Sequence, residues 1–132
     1  MKYALDTNIV SYILKGDSDI IKKYHEENDK GAEFSIPPLV YYEINRGLFA
    51  LNAAAKLKEF DKLCQQFGIG EMNHAIWDES VKIYAKLKNQ GNIIEDADIF
   101  IAAYCIVNNY ILITNNVNHF ERIDNLNYIN WK

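Results

Sequence analysis

Three acidic positions in this sequence sit where burial is expected. Asp6 follows the apolar run Tyr3, Ala4 and Leu5, and an apolar pattern resumes after Thr7 and Asn8. Glu43 lies within PPLVYYEINRGLFAL. On a helix turned about 100° per residue from Leu39, residues Leu39, Ala50, Gly47, Val40, Leu51 and Ile44 fall on one arc of roughly 140°, and Glu43 falls inside it. Glu95, Asp96 and Asp98 open a stretch in which, from Ile99 to Val107, only the Tyr104 hydroxyl and the Cys105 thiol are polar side-chain groups. A buried carboxylate must find a cation, a donor or a proton. Each acid has a plain structural use: a helix cap for Asp6, an ion pair with Arg46 one turn on for Glu43, capping and a favourable macrodipole for the others. Three acids opening the most apolar helix exceed what capping requires. If Asp6, Glu43 and Asp98 converge, they repel one another, and a divalent cation removes the conflict. Hard oxygen donors with few histidines favour Mg²⁺ or Mn²⁺ over zinc.

The elements that must position these acids follow from the apolar pattern. Lys2–Leu5 reads as a strand and Thr7–Leu14 as a short helix that Gly16 stops. Asp17–Glu27 is a second helix and Glu33–Ile36 a short strand. Pro37 and Pro38 suit the entry to a helix reaching about Leu51, since proline lacks an amide that would be unpaired there anyway. Helices are expected at Asn52–Phe67, His74–Asn89 and Glu95–Asn108, and strands at Gly68–Met72 and Tyr110–Thr114. A turn or short helix near His119–Arg122 and an edge strand at Tyr128–Asn130 complete the chain. Strands alternating with helices imply a parallel sheet covered on both faces, with its site beyond the carboxyl ends of the strands. Asp6 stands at one such end, and Asn115 and Asn116 follow another.

Length and composition bound the rest. The 132 residues suit a single domain spanning 1–132, and 49% hydrophobic with 24% charged residues fits a globular protein. No apolar run approaches the roughly 20 residues a membrane span needs, and no signal peptide is visible. Cys64 and Cys105 lack metal-ligand spacing, and a cytoplasmic location is expected. A net charge of −4 argues against a sequence-independent nucleic-acid coat. It leaves open an enzyme that holds nucleic acid through bound cations and a local basic patch.

Taken together, YALDTNIVSYIL, FSIPPLVYYEINRGL, DADIFIAAYCIV and ILITNNVNHFERI give the chain an order and spacing that resembles PIN-domain nucleases, and more closely the VapC-type toxins of bacterial toxin–antitoxin pairs. The resemblance implies a three-layer α/β/α fold with a short parallel sheet and metal-dependent cleavage of RNA, with transfer RNA a plausible substrate. It matches Asp6, Glu43 and Asp98 to the family's core acids, and Asp96 to an acid near the third carboxylate in close relatives. Thr7, Asn8 and Ser35 match polar positions beside them, and Thr114 matches the threonine after the fourth strand. Many PIN domains carry a fourth acid where this chain has Asn116, which implies weaker hold on a second metal ion; a capping role is the plain alternative for Asn116. The resemblance also implies a restraining antitoxin and toxin homodimers. Lys15, Arg46, His119 and Arg122, near the ends of the acid-bearing segments, are candidates for RNA phosphate contacts. The apolar stripes of Asp17–Glu27 and Asn52–Phe67 serve either an interface or the core.

Two other readings are weaker. Phosphoryl transfer through a nucleophilic Asp6 would want a second aspartate two residues on, where Asn8 stands, and a receiver-like domain a lysine that YILITNN lacks. A catalytically inactive PIN-like module binding RNA or protein would gain nothing from inward carboxylates.

Overall fold

A computed structural model describes all 132 residues. The elements run β1 (Lys2–Leu5), α1 (Thr7–Leu14), α2 (Ser18–Asp29), β2 (Glu33–Ser35), α3 (Pro38–Ala50), α4 (Ala54–Phe67), α5 (His74–Asn89), α6 (Asp96–Asn108), β3 (Ile111–Ile113), α7 (Val117–Phe120) and β4 (Tyr128–Ile129). The four strands form one parallel sheet in the order β2-β1-β3-β4. From β1 the chain crosses outward to β2, then returns to the other side of β1 as β3. The strand order therefore reverses between β1 and β3, where doubly wound folds open a crevice at the carboxyl ends.

Strand alternation fixes what each sheet face meets. Tyr3 pairs in register with Phe34, and Phe34 packs against Tyr24 of α2 and Phe67 of α4, with ring centroids 4.9 and 5.3 Å apart. Ala4 pairs with Ser35, whose hydroxyl lies 2.7 Å from that of Tyr104 on α6. Helices thus cover both faces, as the three-layer architecture requires. Residues 101–105 of α6 are all buried, which accounts for its apolar character on every side. The stripes of α2 and α4 are also core: Ile20, Tyr24, Phe60 and Cys64 are buried. Both cysteines are free, and no helix is long and apolar enough to cross a membrane.

Most expected elements form, with shifted ends. The short helix after β3 begins at Val117 rather than His119. The inward arc of α3 is narrower than its wheel implies. Val40 and Ile44 are buried, but Gly47, Ala50 and Leu51 are exposed, because the last turn projects past the core. The strand expected at Gly68–Met72 is reduced to one bridge. Ile36 N–H donates to Gly68 O at 3.1 Å and Gly70 N–H to Ile36 O at 2.8 Å. Pairing stops there because the next two residues of the partner, Pro37 and Pro38, offer no N–H.

At Gly70 the chain passes against the Tyr104 ring. A Cβ there would lie 2.3 Å from the Tyr104 Oη, closer than any real contact allows. We expect Gly70→Ala to cost about 1–3 kcal/mol, lowering the melting temperature by several degrees in thermal denaturation. An unchanged melting temperature would show that Tyr104 yields without cost.

Candidate active site

β1 delivers Asp6 to the crevice. Its backbone N–H donates to Ile113 O at 2.9 Å, tying the residue to β3. Oδ1 accepts the Thr7 N–H at 2.8 Å and so caps α1. Oδ2 accepts the Thr114 hydroxyl at 2.7 Å across the switch point. Asp6 is therefore both a helix cap and one corner of a site, and it is 3% exposed. Burial raises its carboxyl from the ordinary 3.8 to about 6. The bonds from Thr114 and Thr7 oppose that rise, while the nearby charges of Asp98 and Glu43 add to it. Asp6 thus feels the charge of both other acids.

Two hydrogen-bonded arms lead from Asp6 to its neighbours. On one side the Thr7 hydroxyl donates to Glu43 Oε1 at 2.8 Å. Arg46 stands 3.8 Å from Glu43 Oε2 and is more than half exposed, so this ion pair is weak. On the other side the Asn116 N–H donates to the Thr114 oxygen at 2.9 Å, which directs the Thr114 proton to Asp6. The Asn116 amide and Asp98 Oδ2 each lie 2.8 Å from His119 Nδ1. One ring nitrogen cannot both accept from the amide and donate to the carboxylate. With Nδ1–H donated to Asp98, the Asn116 Nδ2 stands beside the ring nitrogen without a bond to it. Asn116 occupies the cap position of α7 without a side-chain capping bond; its side chain meets His119 instead.

The remaining predicted residues divide. Asn8 accepts the Asn115 N–H at 3.2 Å, and Asn115 donates to the Tyr12 hydroxyl at 3.1 Å; these bonds brace α1 against the loop after β3. Lys15 lines a groove beside Thr7 and Glu43. Arg122 does not reach the acids: it lines a separate hollow with Lys82 and Lys86. Asp96 is also absent from the cluster. It is exposed and lines a hollow with Trp77, Tyr84 and Phe100, because two residues along a helix amount to about 200° of turn. Ser35 is spent on Tyr104 rather than on an acid. No three His, Cys, Asp or Glu side chains stand close enough to close on an ion by themselves. The His119–Asp98 bond and the Tyr12–Asn115 bond escaped the sequence reading; a histidine three residues after Asn116 was the available signal for the first.

The PIN domain model matches residues 3–126. The Ribonuclease VapC1 of Haemophilus influenzae strain R2866 is 30% identical over 132 residues, covering 99% of this chain and 98% of that protein. A Ribonuclease VapC1 of Methanocaldococcus jannaschii is 37% identical over 105 residues, 80% of this chain and 74% of that one. Among solved structures, VapBC2 from Rickettsia felis, bound to a DNA fragment from its promoter, superposes with a TM-score of 0.92 at 27% identity over 100% of both chains. VapBC-1 from nontypeable Haemophilus influenzae does so with a TM-score of 0.88 at 30% identity over 99% and 98%. A family match over nearly the whole length, with relatives at 30% identity and above, places this chain in the PIN-domain family, among the VapC ribonucleases.

Proposed function

We propose that this protein is an endoribonuclease toxin that cuts RNA with Mg²⁺ or Mn²⁺ and is restrained by a cognate antitoxin. The observation that carries the reading is the buried Asp6 carboxylate, held by neutral donors only and close to the charges of Glu43 and Asp98. The donor set fits such an ion, since Mg²⁺ keeps several waters and takes only one or two protein carboxylates. Asp6 and Asp98 would hold it, and when bound it supplies an acidified water and a countercharge for the attacked phosphate. Thr114 and the Thr7 N–H fix both oxygens of Asp6. His119 fixes one oxygen of Asp98. Glu43, one-fifth exposed and aimed by the Thr7 hydroxyl, accepts the proton of the attacking water. The antitoxin reading rests on the VapBC complexes of the structural neighbours. Homodimers would use the exposed apolar residues of α5, Trp77 and Val81, and two free buried thiols suit the cytoplasm.

Three outcomes test the site. Asp98→Asn should lower RNA cleavage at least a hundredfold in an assay with added Mn²⁺, while its circular dichroism and melting stay those of the parent; cleavage at the parent rate would overturn the assignment, and chelation should abolish activity in the parent. Thr7→Val, which removes the donor aimed at Glu43, should cost roughly ten- to a hundredfold in kcat, with Thr7→Ser retaining most activity.

The third outcome concerns stability without metal. Because the folded-state value of Asp6, about 6, lies above 3.8, its contribution to stability is complete below the unfolded value and lost as pH rises through about 6. At pH 8 the ionised group should destabilise the chelated protein by on the order of 3 kcal/mol. Asp6→Asn should therefore melt several degrees higher than the parent at pH 8, with the difference shrinking toward pH 4. Equal melting at both pH values would show that Asp6 is not under electrostatic stress.

A further inference from the structure

α3 carries two adjacent tyrosines that the fold treats differently. Tyr41 leans on Phe60 of α4, with ring centroids 6.1 Å apart, and belongs to the packing of those helices. Tyr42 is 57% exposed, and its ring is met by the Arg46 guanidinium, 5.1 Å from the centroid. The same Arg46 stands 3.8 Å from Glu43 Oε2. Around the helix, Arg46 lies about 40° on from Tyr42 and Glu43 about 100° on. The arginine therefore sits between an open aromatic face and the carboxylate that takes the proton.

The partners of Arg46 are both weak ones. Its pair with Glu43 is long and its side chain is 59% exposed, so water competes for it. A phosphate offers two oxygens to the guanidinium fork and is a better partner than either. An exposed tyrosine ring beside a cation is the recurring platform for a base of an unpaired strand. An apolar peptide has a different seat: the groove on the other side of Glu43, lined by Leu14, Ile44, Leu48 and Leu51, includes neither Tyr42 nor Arg46. One open ring and one cation match one nucleotide, a base and its phosphate.

On the ribonuclease reading above, we propose that Tyr42 is a substrate-positioning residue. Its ring stacks a base of unpaired RNA next to the phosphate that is cut, and Arg46 turns from Glu43 to a neighbouring phosphate. Substrate entry thereby releases Glu43 from its only cation. A base locked in a duplex would not reach the ring, so the preferred substrate is unpaired at that nucleotide.

The test uses the full chain and a mixed-sequence single-stranded RNA oligonucleotide. Tyr42→Ala should raise KM about tenfold, within the roughly 5- to 150-fold that loss of one stacked base produces, with kcat changed less than about threefold. Tyr42→Phe should restore the parent KM. Binding of the same oligonucleotide to Asp98→Asn, with and without Tyr42→Ala, should show the same loss. An abasic nucleotide moved along the oligonucleotide should reproduce that loss at one position in the parent and add nothing in Tyr42→Ala. The proposal is overturned if Tyr42→Ala cuts and binds like the parent, even where it weakens a protein partner, or if Tyr42→Phe is as poor as Tyr42→Ala. It also falls if the abasic and Ala losses add at every position. If the parent protein neither cuts nor binds the oligonucleotide, the ribonuclease reading fails with it; if the parent cuts and Tyr42→Ala equals it, stacking alone fails.

Discussion

A carboxylate is held almost out of water where the strand order reverses, and no cation of the chain touches it. Asp6 sits between β1 and β3 with its two oxygens on a backbone amide and a threonine hydroxyl. Neutral hydrogen bonds contribute on the order of 1 kcal/mol each. They do not cancel the cost of burying a charge beside two others, and the upward pressure on the Asp6 carboxyl records the remainder. A fold selected for stability alone would place a lysine or a neutral residue here. The topology explains why the charge lies there: β1 ends at the point where the strand order reverses between β1 and β3, the place where parallel sheets of this kind carry their sites.

Precision around that charge comes from rigid elements rather than loops. Thr7 is the first residue of α1, and its N–H holds Asp6 while its hydroxyl holds Glu43. Thr114 follows β3 directly, and its hydroxyl receives from Asn116 what it passes to Asp6. Asp6 and Glu43 are aimed by threonines, short side chains with few rotamers at a helix start and just past a strand end, and Asp98 by the imidazole of His119 on α7. Such support keeps a constellation within the small tolerances that catalysis requires. The outward side is looser. Arg46 and Tyr42 are both more than half exposed, and the cation beside the ring pairs only loosely with Glu43.

The sequence displayed the acids and the layers more plainly than the joints between them. Asp6 was visible because a charge ended an apolar strand, and Glu43 because it fell on the wrong side of a helical wheel. The buried α6 was legible from an unbroken apolar run. Side-chain partnership was not legible. Ser35 looks like a neighbour of the acids in sequence, yet Tyr104 reaches it first. Asp96 looks equivalent to Asp98, yet helical turn carries it to another face, into the hollow with Trp77 and Phe100. The missing strand after Gly68 has a local cause that sequence did contain: two prolines on the partner strand remove the donors it needed. Pattern reading treats each segment alone, and a ladder depends on two.

Asn116 shows how one missing charge changes the rest of the crevice. A fourth carboxylate at this position would face the other three and demand more positive charge to balance them. Here the position carries an amide that meets His119, and His119 in turn holds Asp98. The side chain has moved from presenting charge to fixing the orientation of an acid that does. A histidine donor on Asp98 also removes one oxygen from competition, leaving the other for an incoming ligand. With an amide at 116, and with one of the three acids hydrogen-bonded to an imidazole, the crevice carries less negative charge to balance than four carboxylates would bring.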